Sequence, residues 1–171
     1  FTPDAFPATK ILTEQAAPRA KIVAAMITKM IDDEATREAT PERKAMLKNM
    51  ADVRGNFGLA LANIRGFLLS GDVQFKDDFA ARWEAVHKAL AAVAQQQYLF
   101  TEVQSVAFID LRKTFAEFEP LPAQMFEIRE SDAWNMPVKI LATEAAPVAN
   151  QILDKLVGEL QPDGSRSGGL K

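Results

Sequence analysis

Two arginines occupy places in the sequence where hydrophobes are due. Between Thr40 and Asp72, apolar residues recur at Leu47, Met50, Phe57, Leu61, Ile64 and Leu68 in steps of three and four, and Arg54 fills the gap in that helical stripe. Arg19 does the same in an earlier stripe of Leu12, Ala16, Val23, Met26 and Met30. A guanidinium in a helix seam needs a partner, because an unpaired buried charge costs several kcal/mol. Two forked cations at neighbouring levels can each take a carboxylate bidentately, which is anion chemistry suited to a small di- or tricarboxylate. The alternatives are internal pairing with Glu14, Glu144 or Asp154, or an aliphatic stem that carries the charge out of the seam.

His87 is the single histidine, and with Glu84 it makes the Glu-x-x-His spacing used by di-iron helical bundles. Those sites want two such motifs and two further glutamates, so the metal reading fails. His87 is left as a core or rim residue able to hydrogen-bond a bound carboxylate. The absence of cysteine excludes disulfides, thiolate metal sites and cysteine catalysis. No Gly-rich phosphate loop, nucleophile elbow or zinc-binding helix motif occurs, so no cofactor is implied and binding, not catalysis, is expected. Gln97, Gln104 and Thr114 interrupt an apolar stripe and read as relaxed positions; Trp83 and Trp134 read as packing residues.

Long helices must position these groups. The clearest has Thr40 as N-cap, Pro41 at its first position, Glu42 in its first turn and Gly71 just past its end. Thr2 and Pro3 mark an earlier start, and Ser70-Gly71-Asp72 a tight turn. A third stripe, from Phe79 through Trp83, Val86, Leu90 and Val93, continues past Phe100 to Phe118, a helix of about 45 residues and roughly 68 Å. Pro120 and Pro122 end it, and a fourth carries Met125, Trp134, Leu141, Ala145, Val148 and Ile152. Helices are thus expected at about 3–33, 41–69, 73–117 and 122–159 in one domain, with a polar tail over 160–171 and almost no strand signal. That pattern predicts an all-α fold, an antiparallel up-down four-helix bundle. Folding back at each loop brings residue 54 level with 23, 88 and 151, so Arg54, Arg19, His87 and Gln151 form the expected ligand-binding set.

An internal repeat underlies the two ends. Residues from Asp4 and from Asp132 share Lys10/Lys139, Ile11/Ile140, Leu12/Leu141, Ala16/Ala145, Pro18/Pro147 and Ala20/Ala149, at an offset of 129. Each copy sets a proline inside a helix, freeing the carbonyls of Glu14 and Thr143 and predicting kinks at Pro18 and Pro147.

With 48% hydrophobic and 25% charged residues, the 171-residue chain has the composition of a soluble globular domain. A net charge of −3 with both signs mixed points to neither nucleic acid nor an anionic membrane surface, so no nucleic-acid partner is expected. No apolar run reaches the length of a membrane span, and no signal peptide is seen. The abrupt limits at Phe1 and Lys171 suggest an excised piece.

The run Asn63-Ile64-Arg65-Gly66-Phe67-Leu68-Leu69-Ser70-Gly71-Asp72, followed by Phe75 and Trp83, resembles a motif of helical extracytoplasmic sensor domains in bacterial chemoreceptors and sensor kinases. The segment from Trp134 through Pro137, Lys139, Glu144 and Pro147, with its Asp163 to Gly169 tail, is similar to stretches of methyl-accepting chemotaxis proteins built from helical modules. The resemblance touches about half of the chain. It implies a periplasmic ligand-binding domain set between two transmembrane helices in an inner-membrane receptor, homodimeric in the full receptor. Helical-bimodular members sense organic acids, which agrees with a small carboxylate ligand. Both membrane helices, the HAMP segment and the signalling hairpin are lacking, so any membrane contact would come through segments absent from this chain.

Overall fold

Caps and prolines set the ends of the helices. In the computed structural model, which describes residues 5–162 and 165–170, the Thr40 hydroxyl accepts from the Arg43 N–H and Pro41 opens helix α3 (Pro41–Ser70). The helix stops at Gly71, whose φ of 74° is open to glycine, with its N–H closing on the Phe67 carbonyl. Asp72 accepts from the Gln74 N–H and starts α4 (Val73–Gln95). The start signal at Thr2 and Pro3, Asp4 of the repeat and Asp163 of the tail lie outside the described residues.

The turn between α3 and α4 explains most of the RGFLLSGD run. A Cβ on Gly66 would meet the Phe75 ring at 2.6 Å, so glycine lets the two helices close together. Phe67 and Leu68 are core residues, Gly71 is the left-handed cap and Asp72 the next N-cap. Each of these residues builds the hairpin.

The 45-residue helix expected over 73–117 is two helices. A short 3₁₀ turn (Gln97–Leu99) and an extended Phe100 separate α4 from α5 (Glu102–Phe118). A capping box causes the break: the Thr101 hydroxyl accepts from the Gln104 N–H, and the Gln104 side chain accepts from the Thr101 N–H. Gln104 is not a relaxed position, for it is fully buried and also donates to Glu34 at 2.8 Å.

At the start of the chain, α1 (Pro7–Ile11) passes through a π-helical turn (Leu12–Ala16) into α2 (Ala17–Glu34). Pro18 has no N–H to give, and the turn before it widens, so that the Ala17 N–H reaches back to the Leu12 carbonyl. Where sequence predicts a kink, the backbone carries this π turn.

Helices α2 and α5 run antiparallel, since Arg19 at the head of α2 bonds Glu117 at the foot of α5 and Glu34 meets Gln104 at the other end. Helices α3 and α4 are likewise antiparallel, tied by Asn49–Gln96 and Asn56–Arg82. Side chains such as Met30, Met50, Phe57, Leu111 and Phe118 fill the space between the two pairs. Helix α6 (Leu121–Glu130) closes one end, where the Phe126 ring sits 5.1 Å edge-on from both Phe67 and Phe79.

The arginine seams do not form. The buried face of α3 is Met46, Met50, Val53, Phe57, Ala60, Ile64 and Phe67, and Val53, 1% exposed, fills the slot assigned to Arg54. On α2 the slot assigned to Arg19 belongs to Ala20. One residue is about 100° of helix rotation, and the half-buried Leu47 and Leu61 mark the flank of the stripe, so a series built on them carries Arg54 into the seam in error.

The fourth helix expected over 122–159 is also broken. After α6, Ser131 caps a 3₁₀ turn (Asp132–Trp134), and the Arg129 guanidinium lies 3.8 Å from the Trp134 ring centre. Helix α7 (Met136–Ile140), a second π turn (Leu141–Ala145) and α8 (Ala146–Val157) then run on without a buried side chain, and a two-residue hairpin pairs β1 (Glu159–Leu160) with β2 (Arg166–Ser167). The described residues are otherwise helical nearly throughout, an all-α fold.

One polar network holds the end of the α2–α5 assembly. The Glu34 carboxylate, 2% exposed, accepts from Arg43 Nη2 at 2.9 Å, and Arg43 Nη1 donates to the Leu99 carbonyl at 3.0 Å. Arg43 Nε is 2.9 Å from the second Glu34 oxygen but not aligned for a hydrogen bond. Beside it, Asp33 accepts from Arg37 and from the Thr101 hydroxyl, and the Arg37 hydrogen bond above all holds its carboxyl below the ordinary carboxylate range. A folded-state value below the unfolded one stabilises the fold above the ordinary carboxylate pKa, a contribution lost as pH falls through the lowered value. Between about pH 5 and pH 2 the urea midpoint is expected to fall more steeply in the parent than in Asp33→Asn. Parallel slopes in the two proteins would refute that assignment.

Candidate functional site

The groove between α4 and α5 exists because the chain folds back at Gln96–Thr101. Were α4 and α5 one rod, His87 and Glu119 would lie about 48 Å apart at 1.5 Å per residue. In the folded chain His87 Nε2 lies 3.1 Å from Glu119 Oε1, within ion-pair distance of that carboxylate. The groove has a volume of about 230 Å³, with Leu90, Ala91, Phe115 and Ala116 as apolar lining and His87, Arg112 and Glu119 as its polar groups.

Aromatic packing sets the orientation of the histidine. Trp83 stacks on Phe79 at 5.4 Å and on Phe115 at 5.0 Å, and His87, one turn further along α4, stands edge-on to both Trp83 and Phe115 at 5.5 Å. Ala91 and Ala116 leave room where larger side chains would fill the cleft. Arg112 is exposed and makes no ion pair or hydrogen bond among the described residues. A free guanidinium over an apolar lining, with a histidine–carboxylate pair nearby, can take a ligand carboxylate in a two-pronged bond.

The four residues expected to form one site are not brought together. Arg54 stands exposed on the outer face of α3, without a partner among the described residues. Arg19, one-third exposed, donates to Glu117 at 3.2 Å and to the Gln15 carbonyl at 3.0 Å, so its charge is matched internally by a glutamate outside the set considered from sequence. Gln151 is exposed on α8, whose extensive contacts are with its own π turn and β1 and not with α2–α5, so it is not brought level with Arg54. His87 alone lines a groove; at 45% exposure it is a rim residue.

Arg112 and Glu119 were missed because a continuous helix over 73–117 places them on an overhanging end. The Thr101-x-x-Gln104 capping-box pattern was the signal that would have broken that helix and turned Arg112 back onto His87.

The chain matches no family model, no curated protein and no solved structure. No helix among the described residues is long and apolar enough to cross a membrane.

Proposed function

We propose that this chain is a non-enzymatic sensing domain, the extracytoplasmic ligand-binding part of a methyl-accepting chemoreceptor, which holds a small carboxylate in the α4–α5 groove. In this reading α2, α3, α4 and α5 act as an antiparallel up-down four-helix bundle, with bends at Pro18 and Pro147, and the domain is a homodimer in the inner-membrane receptor, facing the periplasm. The observation that carries it is Arg112, a guanidinium without an ion-pair or hydrogen-bond partner among the described residues, at a groove with apolar walls. Its fork takes the ligand carboxylate and His87 stands within the same groove as a second polar contact. At about 230 Å³ the groove suits a small acid.

Signalling follows from where the groove lies. A carboxylate that engages Arg112 on α5 and His87 on α4 favours the arrangement in which those helices are closest, and its differential affinity for that arrangement is all that can shift the equilibrium.

Thermal denaturation across a panel of organic acids tests the reading. One acid is expected to raise the midpoint progressively with the logarithm of its concentration, by about 2.7 kcal/mol of stability at a hundred times its Kd. The rise is expected to vanish in Arg112→Ala and to persist in Arg54→Ala. A flat response to every acid, or a rise that survives Arg112→Ala, overturns the groove. A second reading, a helical spacer or docking module for a periplasmic binding protein without a small ligand, draws support from the exposed apolar residues of α7 and α8.

A further inference from the structure

The second copy of the repeated helix is tied to the bundle near its own beginning. Helices α7 and α8 make their extensive contacts with the 3₁₀ turn (Asp132–Trp134), the second π turn and β1, and of these it is the 3₁₀ turn that packs against α6 and α1. Trp134 is the large side chain of that turn. It stands two residues after Asp132, as Phe6 stands two after Asp4, and the two rings meet edge-on at 6.0 Å. The Arg129 guanidinium lies 3.8 Å from the Trp134 ring centre, well inside the range of about 6 Å over which a cation is drawn to a ring face.

Arg129 is in turn held by the end of another helix. Its Nε donates to the Leu68 carbonyl at 3.1 Å, one of the last four carbonyls of α3, which lack a donor within the helix. The cation thus sits at the negative end of the α3 dipole, and it makes no ion pair with a carboxylate among the described residues. A Cβ on Gly71 would come within 2.5 Å of Arg129 Nη2, so the left-handed glycine that ends α3 also makes the seat for this guanidinium. Helix α4 begins two residues later, at Val73. Contacts therefore run without a gap from the α3–α4 turn through Arg129 to the ring at the head of α7. Trp134 is half-buried and, with Leu12 and Leu68, borders a cavity of about 230 Å³, so it can leave this seat without opening the core.

We propose that Arg129 and Trp134 form a joint that fixes the angle at which α7–α8 leaves the bundle and ties that angle to the α3–α4 turn. With the guanidinium seated on Gly71 and the ring against it, α7–α8 is held. When the end of α3 draws away from α6 the ring loses its cation, and α7–α8 is free to swing. The joint has two arrangements, and movement of the α3–α4 turn biases the choice between them. It stands independently of the ligand proposed for the α4–α5 groove.

The absence of cysteine allows a direct test in the full chain. Spin labels on Ala62→Cys of α3 and Gln151→Cys of α8, both exposed positions, report the angle by double electron–electron resonance. A second pair, Ala62→Cys with Asp110→Cys of α5, reports the bundle alone. The parent chain is expected to give one narrow α3–α8 distance. Trp134→Ala and Arg129→Gln are each expected to lose that peak to a broad distribution, with the α3–α5 distance unchanged. Gly71→Asn is expected to do the same, since asparagine tolerates the left-handed cap but brings the Cβ that meets the guanidinium. A broad α3–α8 distribution in the parent, or a narrow one that survives Trp134→Ala or Arg129→Gln, overturns the joint. A narrow one that survives Gly71→Asn overturns its tie to the α3–α4 turn. An altered α3–α5 distance in any variant assigns these residues to the bundle itself and overturns the proposal as well.

Discussion

Replacing Glu34 by alanine is expected to destabilise the fold by about 3–5 kcal/mol, because it removes one partner of a buried ion pair and leaves the other charged. Arg43 would keep only the Leu99 carbonyl as a hydrogen-bond partner for its guanidinium, and Gln104, fully buried, would lose one of its acceptors. Replacing both charges, Glu34→Leu with Arg43→Met, is expected to cost much less than Glu34→Ala alone, since no stranded charge remains. Urea unfolding with a constant m-value measures both. A Glu34→Ala loss under about 1 kcal/mol would show that the pair is solvated in solution and does not hold the loop ends together.

The second large effect lies in the aromatic core. Phe118 is fully buried where α5 ends, 5.3 Å edge-on from Phe57 of α3 and 5.7 Å from Trp83 of α4. Phe118→Ala is expected to cost about 3–5 kcal/mol, the transfer energy of the ring plus the cavity it leaves among three helices. Phe118→Leu keeps much of the volume and is expected to cost less than half of that. Equal losses in the two variants would mean that the edge-on ring contacts, and not the filled volume, hold these helices together. Near-UV circular dichroism of Trp83 reports whether the aromatic stack persists in either variant.

Both effects belong to features that the sequence shows unevenly. The caps at Thr40 and Asp72, the glycine stop at Gly71 and the proline at the head of α3 are local signals, each a hydrogen bond or a backbone angle within a few residues, and all are legible before folding. So are the all-α character and the repeat, because both are matters of spacing along one chain. The capping box at Thr101 is equally local, yet apolar spacing carried through it as though it were helix interior. The Glu34–Arg43 pair joins the foot of α2 to the head of α3 and to the turn before α5, and nothing in the spacing of those residues announces it.

The candidate site was legible only at His87. Arg112 sits 25 residues further on, and it shares a groove with His87 only once the chain has turned back at Gln96–Thr101. The seam arginines fail for a related reason. Whether Val53 or Arg54 faces the core is a rotation of one residue, and the two phases differ little in hydrophobic count along a single helix.

By itself, then, the amino-acid order determined both ends of α3 and the start of α4, that strands are nearly absent, and that one helix is written twice. Tertiary structure decided which side of each helix turns inward, that Glu34 and Arg43 share a buried bond, and that His87 meets Glu119. The reason is physical: caps and turns are settled by groups a few residues apart, whereas the rotation of a helix and the pairing of distant charges are settled by the apolar area and the hydrogen bonds that only the packed chain makes available.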